Sequence, residues 1–123
     1  MSRVKGRDTK PELVVRSAAH RLGFRFRLHV RDLPGNPDIV FPRLKKVIFV
    51  HGCFWHGHKG CPRSARPSAN VGFWSDKLDG NIARDKRSRA LLRKAGWKSL
   101  VVWQCETKDI QALSRRLLRF LSE

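Results

Sequence analysis

Val47-Ile-Phe-Val-His-Gly-Cys-Phe-Trp-His56 decides how this chain is read. Its first four residues form an unbroken apolar run, which suits a central strand covered on both faces. Polar, metal-binding and aromatic side chains follow at once. From His51 to Cys61 there are three histidines and two cysteines within eleven residues.

Outward from that stretch the punctuation is clear. Asp38-Ile-Val-Phe41 reads as a short strand between two turns, Leu33-Pro-Gly-Asn-Pro37 and Pro42-Arg-Leu-Lys-Lys46. Phe24-Arg-Phe-Arg-Leu-His-Val30 alternates apolar and polar residues and predicts a half-buried strand. Before it, Thr9-Lys-Pro-Glu12 signals a helix start, with Thr9 as N-cap and Pro11 in the first turn. Leu13, Val14, Ala18 and Leu22 would form that helix's apolar face, and Gly23 would end it. Residues 1–8 are expected to be a flexible basic arm.

Toward the carboxyl terminus, residues 51–72 read as irregular. Helices are predicted over residues 73–78 and 81–95, with Gly96 as a stop. Ser99-Leu-Val-Val-Trp103 predicts a second central strand, with Trp97 and Trp103 in the strand-side core. Residues 109–121 predict a helix with Ile110, Leu113, Leu117 and Leu121 on one face, capped by Thr107 or Asp109. Helical sequence between the two central strands predicts a right-handed parallel crossover. The expectation is an α/β fold in one domain over residues 1–123, a mixed central sheet flanked by helices.

The chain carries 27 Lys and Arg against 10 Asp and Glu, a formal net charge of +17 spread over nearly every segment. Such a field draws in polyanions, and nucleic acid is the first partner to consider. No stretch reaches the roughly 20 apolar residues of a membrane span, and the polar opening is not a signal peptide. A cytoplasmic location is expected. Three cysteines cannot all pair within one chain, which favours free thiols or a metal site over disulfides.

If the two central strands are parallel neighbours, the loop after Val50 meets the segment after Trp103. Cys53, His58, Cys61 and Cys105 then supply three thiolates and one imidazole, a donor set suited to a closed tetrahedral zinc site that staples the loop. His51 and His56 are left over for chemistry. Asp38 has two readings: a Mg²⁺-binding carboxylate at a strand end beside a basic surface, or a turn aspartate bonded to backbone amides. Pairing of the Asp38 strand with the next one would bring the Val50 carbonyl and His51 close to it. Glu12 is either the acidic half of a capping box or a helper near the metal. Phe54 and Trp55 are either a lid on the zinc site or wedges that enter a base stack.

Pro34-Gly-Asn-Pro-Asp38-Ile-Val, the Val47–His56 string, Phe73-Trp74, Asn81, Arg84-Asp85, and Gly96-Trp97 through Val102-Trp-Gln-Cys105 together resemble the very-short-patch-repair (Vsr) endonuclease family, in order over roughly residues 6–106. The resemblance implies a restriction-endonuclease-like fold, Mg²⁺-dependent nicking and a structural Zn²⁺. By position it implies Asp38 and the Val50 carbonyl as Mg²⁺ ligands, His51 and His56 as catalytic, and Glu12 as an outer helper. It implies Cys53, His58, Cys61 and Cys105 as zinc ligands, and Phe54, Trp55 and Trp74 as wedges. The implied substrate is double-stranded DNA with a T:G mispair left by deamination of 5-methylcytosine, nicked 5′ of the T. Mismatch-repair proteins are candidate partners, and the enzyme is expected to act as a monomer. Two other readings fit the composition: a zinc-stapled DNA-binding module without catalysis, and a related nickase with another target.

Overall fold

The computed structural model describes residues 9–123, so the arm expected at residues 1–8 lies outside the described residues. Three helices and three strands run in the order α1 (Lys10–Arg21), β1 (Ile39–Phe41), β2 (Lys46–His51), α2 (Val71–Lys94), β3 (Lys98–Trp103) and α3 (Ile110–Ser122). The sheet order is β1-β2-β3. β1 pairs antiparallel with β2, with Ile39 opposite Ile48. β2 pairs parallel with β3, and His51 falls opposite Trp103. The sheet is therefore mixed, with the apolar strand Val47–Val50 at its centre as the sequence predicts.

Alternation along the strands sorts side chains into two cores. Ile39, Phe41, Ile48 and Val102 face Val15, Ala18 and Ala19 of α1 and Leu113, Leu117 and Leu121 of α3. Val40, Val47, Phe49 and Val101 face Leu92 of α2. Complete burial of one such Leu or Val contributes about 1.5–3 kcal/mol, so the central strand is clamped from both sides. Among the described residues no helix is long and apolar enough to cross a membrane.

Four local expectations are corrected. Residues 24–30 do not form a strand. Arg27 alone makes a bridge, exchanging hydrogen bonds of 2.8 and 2.9 Å with Val40. His29 adopts φ 58°, which takes the chain out of extended geometry. The alternation still reported burial correctly, since Phe24, Phe26 and Leu28 pack on the first core. The two helices expected at 73–78 and 81–95 are one continuous helix through Gly80. A glycine lowers helix propensity without breaking the hydrogen-bond ladder. Leu13 and Ile110, expected on apolar faces, are 50% and 42% exposed, and Val15 and Ala19 take the inward places on α1. Finally, Lys46, expected in a turn, starts β2 and is buried. Its Nζ donates to the carbonyls of Phe120 (2.6 Å) and Glu123 (2.7 Å), satisfying the end of α3.

The predicted caps hold. Thr9 accepts from the Glu12 N–H at 3.5 Å, and Asp109 accepts from the Ala112 N–H at 3.1 Å.

Candidate active site

The β1–β2 pairing brings the expected residues together. The Asp38 N–H donates to the Ile48 carbonyl at 3.1 Å, fixing the residue just before β1. Asp38 Oδ2 then accepts from the Val50 N–H at 2.6 Å. The contact between the two residues thus runs through the Val50 amide, as the amide-bonded reading of Asp38 expects, and the side chain also lines the cleft described below. Glu12 turns inward from α1 and is only 4% exposed. Its carboxylate accepts from Arg16 at 3.2 Å and is hydrogen-bonded to Asp38. The capping box is thus half made: Thr9 caps the helix, while the Glu12 side chain belongs to the cleft.

Burial, followed by the neighbouring Glu12 carboxyl, pushes Asp38 up to about 7, against the lowering pull of the Val50 N–H and Arg16. The half-buried Asp38 carboxyl and the buried Glu12 carboxyl thus place their oxygens side by side. Oxygen donors crowded in this way are the set a hard divalent cation takes.

His51 ends β2, and His56 follows one turn into the loop, its N–H donating to the Gly52 carbonyl at 3.2 Å. The two imidazoles stack with centroids 3.8 Å apart and planes 7° from parallel. Asp85, from the middle of α2, backs both. Its Oδ2 lies 2.5 Å from His56 Nδ1 and its Oδ1 lies 3.9 Å from His51 Nε2. These three groups are close enough to hold a metal, yet nearly parallel rings send their in-plane lone pairs side by side, not to one point. The geometry suits a carboxylate that orients two imidazoles better. Burial, then His56 and Arg89, lowers His51 to about 3, so its imidazole is neutral. Asp85 was not found from local sequence. Nothing in a helical Arg-Asp pair marks it, because its role depends on α2 lying across the loop.

Cys53, His58, Cys61 and Cys105 offer donor atoms all within 4.8 Å of one another. Two tight turns gather the loop, with the His58 N–H donating to the Cys53 carbonyl at 3.0 Å and the Cys61 N–H to the His58 carbonyl at 3.4 Å. Gly57 and Gly60 supply the positive φ values these turns need. Cys105 arrives from the short 3₁₀ helix after β3, so the parallel β2–β3 pairing closes the set as expected. Cys105 is pushed up to about 11 by burial and by the thiols of Cys53 and Cys61. Three sulfurs with one imidazole are a donor set that fits zinc.

Phe54, Trp55 and Trp74 also meet. Their centroids lie 5.1, 5.5 and 5.9 Å apart, with Phe73 5.3 Å beyond Trp74. The Asn81 amide donates to the Trp55 carbonyl at 3.0 Å, tying the loop to α2. One open cleft of about 670 Å³ runs past Glu12, Asp38, Val50, His51, His56, Trp55, Lys77, Asn81 and Asp85. Trp97 packs in the second core as expected. Trp103 does more than that: its ring lies between His58 and His51, 4.2 and 5.3 Å from them.

A family profile described as DNA mismatch endonuclease Vsr matches residues 1–63. The chain is 52% identical over 121 residues to the type II nicking enzyme V.XorIIP of Xanthomonas oryzae pv. oryzae, spanning 98% of this chain and 88% of that protein. It is 40% identical over 123 residues to the type II nicking enzyme V.NmeAIP of Neisseria meningitidis, 100% of this chain and 87% of that one. It is 36% identical over 118 residues to the DNA mismatch endonuclease Vsr of Escherichia coli, 96% of this chain and 75% of that one. In fold it is similar to the catalytic domain of the homing endonuclease I-Bth0305I, with a TM-score of 0.63, 21% identity, and coverage of 92% of this chain and 94% of that chain. The restriction-endonuclease-like architecture expected from the sequence is therefore present. With the profile matching residues 1–63 and the relatives matching nearly the whole length, this mixed-sheet chain is a member of the Vsr family of DNA endonucleases.

Proposed function

We propose that this chain nicks one strand of duplex DNA 5′ of the T in a T:G mispair, by Mg²⁺-dependent hydrolysis. The observation that supports this is the single cleft: Asp38, Glu12, His51, His56 and Asp85 line it together, next to the Trp55 ring. Lys77 and a formal net charge of +17 draw a phosphate backbone toward it.

In this reading Asp38 and the Val50 carbonyl would hold Mg²⁺, with Glu12 behind Asp38. The ion supplies charge stabilisation at the phosphate oxygens. Neutral His51 accepts a proton from the attacking water. Its low pKa rises as phosphate arrives, because nearby negative charge favours imidazolium. His56, with Nδ1 held by Asp85, delivers a proton to the leaving oxygen from its other nitrogen. Cys53, His58, Cys61 and Cys105 would hold Zn²⁺, which would keep the loop folded. Phe54, Trp55 and Trp74 enter the stack at the mispair, where opening a step costs least. Both donor sets come from one copy of the chain, so a monomer suffices. Acting on DNA, it would work in the cytoplasm of a bacterial cell, alongside mismatch-repair proteins.

A related nickase with another target is the second reading. It is favoured by the names of V.XorIIP and V.NmeAIP, which are type II nicking enzymes. End-labelled T:G and T:A duplexes, incubated with and without Mg²⁺, decide between them. The T:G duplex should be cut in one strand only when Mg²⁺ is present, and the T:A duplex far more slowly. Equal cutting of both would reject mismatch selection, and cutting of neither would reject the T:G reading in favour of a nickase with another target.

A further inference from the structure

His51 has no rotamer that fixes its ring plane, because the terminal torsion of histidine is broad. The rings packed around it must set the tilt. His56 covers one face at 3.8 Å. Trp103, its register partner on β3, meets it edge to face at 5.3 Å and 75°. On its other side the Trp103 indole lies flat on His58, with centroids 4.2 Å apart and planes 9° from parallel.

A continuous ladder of rings therefore runs from the Cys/His cluster to the imidazole pair, in the order His58, Trp103, His51, His56. Asp85 closes the far end. Trp103 is itself anchored: its backbone N–H donates to Glu106 Oε1 at 2.8 Å, and Arg116 Nη1 contacts both oxygens of that carboxylate at 2.6 Å.

We propose that Trp103 is a positioning residue for the nicking reaction. Its indole ties the tilt of His51 to the plane of His58, so the metal-binding loop sets the aim of the imidazole pair as well as its own fold. This rests on the nuclease reading of the cleft. A purely space-filling role would be served by any apolar side chain of similar bulk, whereas a ring ladder needs a flat face at this position.

The test uses Trp103→Leu, which keeps apolar bulk without a flat face, and Trp103→Phe, which keeps the face. Zinc content, duplex affinity, single-turnover nicking and long-range ¹⁵N–¹H spectra of the imidazoles are measured on each. Trp103→Leu should keep zinc and duplex affinity while its nicking rate falls roughly 10- to 100-fold, the scale of a small misplacement of reacting groups. Trp103→Phe should recover most of that rate. The spectra should show one fixed tautomer each for His51 and His56 in the wild type and averaging in Trp103→Leu. Averaging in the Leu variant supports the ladder even if the wild type fails to nick, a failure that would sink the T:G reading alone. Unchanged imidazole spectra and rate in Trp103→Leu, or equal loss of zinc and rate in both variants, overturns the inference.

Discussion

Asp85→Asn isolates the carboxylate behind the imidazole pair. Asparagine has the same shape but offers one acceptor oxygen and no charge, so His56 loses its short 2.5 Å partner or takes a neutral one. A hydrogen bond to a charged partner contributes about 1.5–3 kcal/mol. With His56 28% and Asp85 25% exposed, solvent screening places the effect in the lower half of that range. His56 must carry the proton it delivers, and loss of the charged partner raises the cost of that protonated form by about 1.5–2 kcal/mol, on the order of 10- to 30-fold in kcat. Removing one negative charge from a protein of net +17 cannot weaken its hold on DNA electrostatically, so duplex affinity should be unchanged or slightly higher. Single-turnover nicking with saturating enzyme measures the first quantity, and fluorescence anisotropy of the labelled duplex measures the second. A variant that folds normally and nicks at the wild-type rate would refute the orienting role. A loss confined to affinity would show that Asp85 serves DNA binding instead.

Asp38→Asn should abolish nicking with little change in duplex affinity, and thermal melting should show equal or higher stability because a carboxyl raised by desolvation and by Glu12 is replaced by a neutral amide; a clear drop in Tm would contradict that. Cys105→Ser should lose zinc, read by metal analysis, and melt at lower temperature, since metal binding and loop folding are one process. Trp55→Ala should lower the ratio of T:G to T:A cutting rates, and an unchanged ratio would count against wedge insertion. Lys46→Met removes two charge-assisted bonds to the end of α3 while sparing the desolvation of an ammonium; urea unfolding should show a loss of about 1–3 kcal/mol with normal nicking by the folded protein.

The chemistry of this protein is written in short, dense strings, and those strings were legible. Val47–Val50 could only be a central strand, because four consecutive apolar residues need cover on both faces. Cysteine and histidine spacing from 51 to 61, with Cys105 after the next strand, pointed to four side chains whose donor atoms the fold gathers within 4.8 Å of one another. Those features depend on side-chain type and local period. What only the tertiary structure decided depends on which elements cross. The alternation of residues 24–30 records burial, yet ladder pairing needs a neighbour that stays extended, and His29 turns away. Local sequence offers Glu12 a place in the cap, but the approach of α1 to β1 brings its carboxyl to Asp38. Asp85 and Trp103 acquire their places because α2 and β3 lie against the loop. A side chain's type is fixed by its codon; its partners come from chain segments tens of residues away, and only packing brings them within reach.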